Sequence, residues 1–324
     1  MKGEDRNIQE QNPEKQNGRE RKCGGPHTQR REAQTGKELM KLALSLCAAL
    51  LVYDMGKQAG RWLFSIVAGH IPHGPAAAGT QGLWYGFGSM AMQLTGGGIC
   101  ALLWQKQLRQ GLPSLSRGEE PAQRDSGEKA AENGGPAGPG IGEKIGRAAA
   151  FLCLAATSAL GLNLLLSLTG FTGLSSDFGE TAAAQASVPF LPGVLLYGLA
   201  APFSEEILFR GILYGKARSA QGPGPAMVFS GLLFGIYHGN LVQGLYAFLL
   251  GVLLAFVYER TGKLRAAMLF HGTGNLAVFW LIDGPGPGLP AMALWQQGIL
   301  CVVLLSAAVG CLHVCFGGRS GDGK

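Results

Sequence analysis

Residues 201–211 read Ala-Pro-Phe-Ser-Glu-Glu-Ile-Leu-Phe-Arg-Gly and set three charges inside an apolar run. An ionisable group in such a run marks a functional site by default, because burying it unpaired in a bilayer costs kilocalories. Glu206 and Arg210 lie four apart, share a helix face and stand in the favourable order for an ion pair. Glu205 is rotated by about 100° from Glu206 and is less well placed to meet Arg210. One carboxylate is thus paired and the other is freer to act; the alternative is a purely structural ion-pair cluster. Two later runs add polar groups: Phe234-Gly-Ile-Tyr-His238-Gly-Asn240 and His271-Gly-Thr-Gly-Asn275. His271 and Asn275, four apart on a helix, can point at one spot. Each histidine alone reads as a core residue. Together with Glu-Glu-x-x-x-Arg, all within apolar runs, they read as chemistry.

The elements that must position these groups are membrane helices. The chain has 324 residues, 47% apolar and 15% charged, against about 25% charged in soluble domains. The charges crowd into 1–38 and 105–147. Apolar runs at about 39–69, 83–104, 148–168, 188–214, 225–240, 241–258, 265–282 and 291–316 are long enough for helices that span or nearly span a bilayer. The fold class that follows is all-α, a polytopic transmembrane bundle of about eight helices. Its expected parts are a disordered polar tail (1–38), two N-terminal spans (39–104), a flexible linker (105–147), the main bundle (148–316) and a short tail (317–324). Asp54, Lys57 and Arg61 interrupt the first run at helical spacing, so they form one polar stripe facing the bundle interior or a wet cavity. The His70-Ile-Pro-His73 stretch reads as a loop and a weak metal site, because Pro72 opposes the helix that would align the two rings.

Loop charge gives orientation. The N-terminal tail, the 105–147 linker and the stretches with Lys216 and Arg218, with Arg260, Lys263 and Arg265, and with Arg319 and Lys324 are basic. The intervening loops 70–82, 169–187 and 283–290 hold no Lys or Arg. This alternation places both termini in the cytoplasm of a multi-pass cell-membrane protein. The net charge of +6 does not indicate nucleic acid, since the basic residues flank apolar runs instead of forming one patch. The seven cysteines are scattered and make no CxxC pair, so neither a disulfide framework nor a zinc knuckle is indicated. Glu205 lies 11 residues before Lys216 and His271 six past Arg265, about 16 and 9 Å along a helix. Both depths fit a site in the cytoplasmic half. His238 falls near the far end of its run, which requires a short or tilted helix turning at Gly239 inside the bundle.

Glu-Glu-x-x-x-Arg, then Phe-x-x-x-His, then His-x-x-x-Asn, in that order over about 190–280, resembles the CPBP family. That family takes in the type II CAAX prenyl endopeptidases and Abi proteins of the bacteriocin self-immunity type. Glu205, Glu206, Arg210, Phe234, His238, His271 and Asn275 fill every motif position. The resemblance implies an intramembrane endopeptidase acting on a membrane-associated or prenyl-type peptide, with membrane lipid and a peptide or protein substrate as partners. Glu205 would act as base on a water shared with His238, while His271 and Asn275 steady the oxyanion. Glu206, Arg210 and Phe234 would orient the site. Such proteins are often called metalloproteases, and Glu205, His238 and His271 could ligate zinc; the same residues suit metal-free water activation, and both readings stand. Rival functions are a transporter or ion path through the buried Glu and His, and a catalytically silent immunity or scaffold protein.

Overall fold

The computed structural model describes residues 26–71, 79–112, 140–283 and 292–317. Helix α1 (Pro26–Gly69) is followed by α2 (Gln81–Leu103), the short α3 (Gln105–Gln110) and α4 (Ile141–Leu168). Then come α5 (Ser176–Ala186), α6 (Phe190–Gln221), α7 (Pro223–Tyr237), α8 (Leu241–Thr261), α9 (Leu264–Val278) and α10 (Leu294–Phe316). No strand occurs among the described residues. The chain divides into two units, Met1–Ser45 and Leu46–Lys324. The described part of the first is the polar start of α1, with Glu38 and Lys41 paired at 2.8 Å; the second holds the helical bundle. Helix α1 begins at Pro26, inside the stretch expected to be a disordered tail. Its Glu-, Gln-, Lys- and Arg-rich sequence consists of good helix formers, and it continues an apolar helix that has already met the cost of nucleation.

All eight apolar runs are helical, but not all are alike. Gly36–Gly69, Gln81–Leu103, Ile141–Leu168, Leu241–Thr261 and Leu294–Phe316 are long and apolar enough to cross a membrane. Helix α5 meets α6 at a bend of 114°, and the pair counts as a sixth candidate. Helix α7 has 15 residues, about 22 Å, short of the roughly 30 Å of hydrocarbon, whereas α9 runs on without a break into a widened turn, Phe279–Asp283. These two carry His238 and His271 at or near the bundle interior, where neighbouring helices rather than lipid surround them. Apolar faces that suit lipid lie on α10, where Trp295, Ile299, Val302 and Val303 are exposed, and on α7, where Val228, Leu232 and Ile236 are.

Two segments expected to be loops are ordered. Residues 105–110 form α3, whose Gln107 amide donates to the carbonyls of Gly211 (2.9 Å) and Ile212 (3.1 Å). The helix is widened to π geometry over Ile207–Tyr214, and the polar side chain supplies a donor there. Residues 113–139 of the 105–147 segment lie outside the described residues, and α4 begins at Ile141. Residues 176–186 form α5, capped by Ser175, whose hydroxyl accepts from the Phe178 amide at 3.3 Å. His70 sits at the end of α1 against the Ile66 carbonyl; His73 lies outside the described residues.

Candidate active site

Helix α6 places the two carboxylates between two widened turns, Leu196–Ala200 and Ile207–Tyr214. Pro202 explains the first. Inside a helix its ring clashes with the carbonyl four residues back and offers no donor to it; that carbonyl belongs to Gly198. Helix α9 packs onto this turn so closely that a Cβ at Gly272 would stand 2.3 Å from the Gly198 oxygen. Only glycine fits at 272, and the contact fixes the depth of the adjacent His271.

Glu206 and Arg210 are wholly buried and paired at 2.9 Å, as the four-residue spacing requires. The guanidinium also donates to the Gly251 carbonyl at 3.0 Å and lies 4.5 Å from the Phe234 ring centre. Phe234 in turn meets Phe209, His238 and His271 edge-on, with ring centres 4.9, 4.7 and 5.7 Å apart. This phenylalanine is the hub on which both imidazoles rest.

Glu206 does more than hold Arg210. Its Oε1 also accepts from His271 Nδ1 at 2.8 Å, which sends His271 Nε2 towards Glu205, 3.8 Å from Oε2. His238 ends α7, and its Nδ1 donates to the Phe234 carbonyl at 2.7 Å, leaving Nε2 as the acceptor. Gly239 follows at φ +78° and turns the chain into α8, a conformation glycine adopts freely. The short fifth run with a turn at Gly239 is thus present. Asn275 donates one amide proton to the Tyr197 carbonyl at 3.2 Å, within the first widened turn.

Glu205, His238, His271 and Asn275 line one cavity of about 800 Å³. Glu206, Arg210 and Phe234 lie behind it. Lys57 and Arg61 line the same cavity, and Asp54 accepts from the Tyr237 hydroxyl; the polar stripe of α1 faces the bundle, as its spacing requires. Helix α5 contributes Phe178, Ala182 and Gln185. Among the described residues, no three His, Cys, Asp or Glu side chains gather closely enough to hold a metal ion. Residues 105–112 and α5 escaped the sequence reading, as did Gln93, whose amide donates to Glu205 Oε1 at 3.1 Å. A lone amide in the apolar run 83–104 was the available signal.

Residues 187–277 match the family model described as type II CAAX prenyl endopeptidase Rce1-like. The chain is also 26% identical over 118 residues to the UPF0177 protein YxdF of Lactococcus lactis subsp. lactis (strain IL1403). That match covers 36% of this chain and 61% of the relative, so the chain spans less than two thirds of the relative's length. No solved structure matches. The two carboxylates, both histidines and Asn275 all fall within the residues that match this Rce1-like, type II CAAX prenyl endopeptidase model.

Proposed function

We propose that this protein is a glutamate-dependent intramembrane endopeptidase that hydrolyses a peptide bond of a membrane-associated substrate. One observation carries the reading: Glu205 Oε2 and His271 Nε2 face each other at 3.8 Å in the wall of a cavity of about 800 Å³. The cavity beside Glu205 Oε2 has room for a water. Oε2 of Glu205 accepts one proton of that water and His238 Nε2 the other. The water oxygen attacks the peptide carbonyl, and its proton passes to Glu205. Glu205 hands that proton to His271 Nε2. Because Glu206 accepts from Nδ1, the ring then donates from Nε2 to the oxyanion, alongside the second amide proton of Asn275. As the C–N bond breaks, the proton on Nε2 goes to the leaving amine. Glu206 thus orients a histidine as the carboxylate of a hydrolase triad does.

The cavity is large enough for several residues of an extended peptide, and its position among membrane helices suits a substrate that arrives from lipid. The alternating basic loops support a multi-pass arrangement with both termini in the cytoplasm. The test is cleavage of fluorogenic membrane peptides by the purified protein in detergent, with and without chelator, together with metal analysis of wild type and His271→Ala. Chelator-resistant cleavage without bound metal is the expected result. Stoichiometric zinc in the wild type that is lost in His271→Ala would overturn the metal-free route. Absence of any cleavage across a broad peptide library would overturn the endopeptidase itself.

A further inference from the structure

The residues aligned with the family model begin at 187, so α1 and α2 lie outside the matched core. Yet Glu205 is not held by that core alone. Its Oε1 accepts from Gln93 Nε2 at 3.1 Å, on α2. Gln93 Oε1 accepts from the Tyr53 hydroxyl at 2.8 Å, on α1. The Tyr53 oxygen accepts from the Ser204 hydroxyl at 3.0 Å, and Ser204 is the residue before Glu205. Three helices therefore close one ring of hydrogen bonds that starts and ends beside the carboxylate.

The direction of every bond follows from chemistry. A carboxylate only accepts, so Gln93 must turn its amino group to Glu205. Its carbonyl then faces Tyr53, which must donate, and the tyrosine oxygen is left to accept from Ser204. No alternative orientation of the amide satisfies both neighbours. Tyr53 and Ser204 have no exposed surface, while Gln93 reaches the cavity wall. Gly97, one turn beyond Gln93, makes the approach geometrically feasible: a Cβ there would stand 2.6 Å from the Ser204 Cα. The ring occupies Oε1 and leaves Oε2 directed at His271.

We infer that Tyr53 and Gln93 are positioning residues that fix the rotation of the Glu205 carboxylate, so that the two N-terminal helices complete a site the matched core only partly builds. The inference rests on Glu205 as the base. Loss of the donor lets the carboxylate turn, and misplacement of a reacting group by about an ångström costs up to about 100-fold.

The experiment uses full-length wild type, Gln93→Leu, Tyr53→Phe, the double variant and Glu205→Gln, all assayed on one fluorogenic membrane peptide. Gln93→Leu is expected to lower kcat about 10- to 100-fold with KM within about twofold. Tyr53→Phe keeps the aromatic ring and loses the hydroxyl's two hydrogen bonds, to Gln93 and from Ser204, while Gln93 still reaches Glu205, for about a fivefold loss. Since both act through one carboxylate, the double variant should be no worse than Gln93→Leu. A second readout needs no turnover: the carboxylate stretching band of Glu205, isolated as the infrared difference between wild type and Glu205→Gln in 13C-glutamate-labelled protein. It should shift in Gln93→Leu and, by less, in Tyr53→Phe. A band unmoved in both variants overturns the inference, whether or not the peptide is cleaved. Multiplying losses in the double variant, or losses confined to KM, overturn it too. Wild type no more active than Glu205→Gln would instead condemn the endopeptidase reading, with the band still deciding the inference.

Discussion

Helix α6 carries two arginine–glutamate pairs that solve the same problem in opposite ways. At its far end Arg218 meets Glu259 of α8 through two bonds of 2.6 and 2.7 Å, and Tyr214 adds a third at 2.6 Å. Both carboxylate oxygens are used, and Glu259 retains some exposure. Deeper in the helix, Glu206 takes Arg210 and His271 on the same oxygen, Oε1. Among the described residues, Glu206 Oε2 and Arg210 Nε have no hydrogen-bond partner, and both side chains are fully buried. Unsatisfied buried polar atoms cost stability and cluster where a protein trades stability for chemistry. The outer pair staples two helices. The inner pair holds an imidazole at a set angle and is a poor staple.

That contrast can be broken by experiment. Replacing Glu206 by Leu strands Arg210 and the His271 Nδ1 proton, at a cost of about 3–5 kcal/mol, read by thermal or chemical unfolding in detergent. Adding Arg210→Met should return most of that stability, because an apolar pair of similar volume is often neutral or better. The doubly substituted protein should still be inactive, since His271 has lost its acceptor. Recovered cleavage would show that Glu206 does not orient His271. Next in size, Asn275→Ala should lower turnover about 100- to 1000-fold, the usual worth of one oxyanion donor, with KM little changed; a mild effect would remove Asn275 from the oxyanion. Smallest is the outer pair. Glu259→Gln should cost about 1–3 kcal/mol of stability and leave turnover per folded molecule unchanged. A turnover defect there would erase the distinction between staple and site.

Much of this was legible in the residues. The pairing of Glu206, rather than Glu205, with Arg210 followed from helical spacing. The turn at Gly239 followed from the depth of His238. The Asp54, Lys57 and Arg61 stripe located the cavity-facing side of α1. Other features depend on contacts remote in sequence. The bond from Glu206 to His271 links positions 65 apart, and no local pattern encodes it. Gln93 and Tyr53 look like isolated polar groups in apolar runs until the helices pack. Helix α3 was lost in a polar stretch because its role is to supply donors to the widened turn Ile207–Tyr214, which only tertiary packing reveals. The short α7 could not be told from a full span by hydropathy, because its residues are as apolar as those of the spanning helices.

The measurement closest to the central claim compares Glu205→Gln with Glu206→Gln in one preparation, by peptide cleavage and thermal unfolding. Glu205→Gln changes little volume and touches no arginine. It should unfold with the wild type and cleave nothing. Glu206→Gln should lose cleavage and unfold well below it. Retained cleavage in Glu205→Gln, or an equal loss of stability in the two proteins, would contradict the division of labour between the two carboxylates.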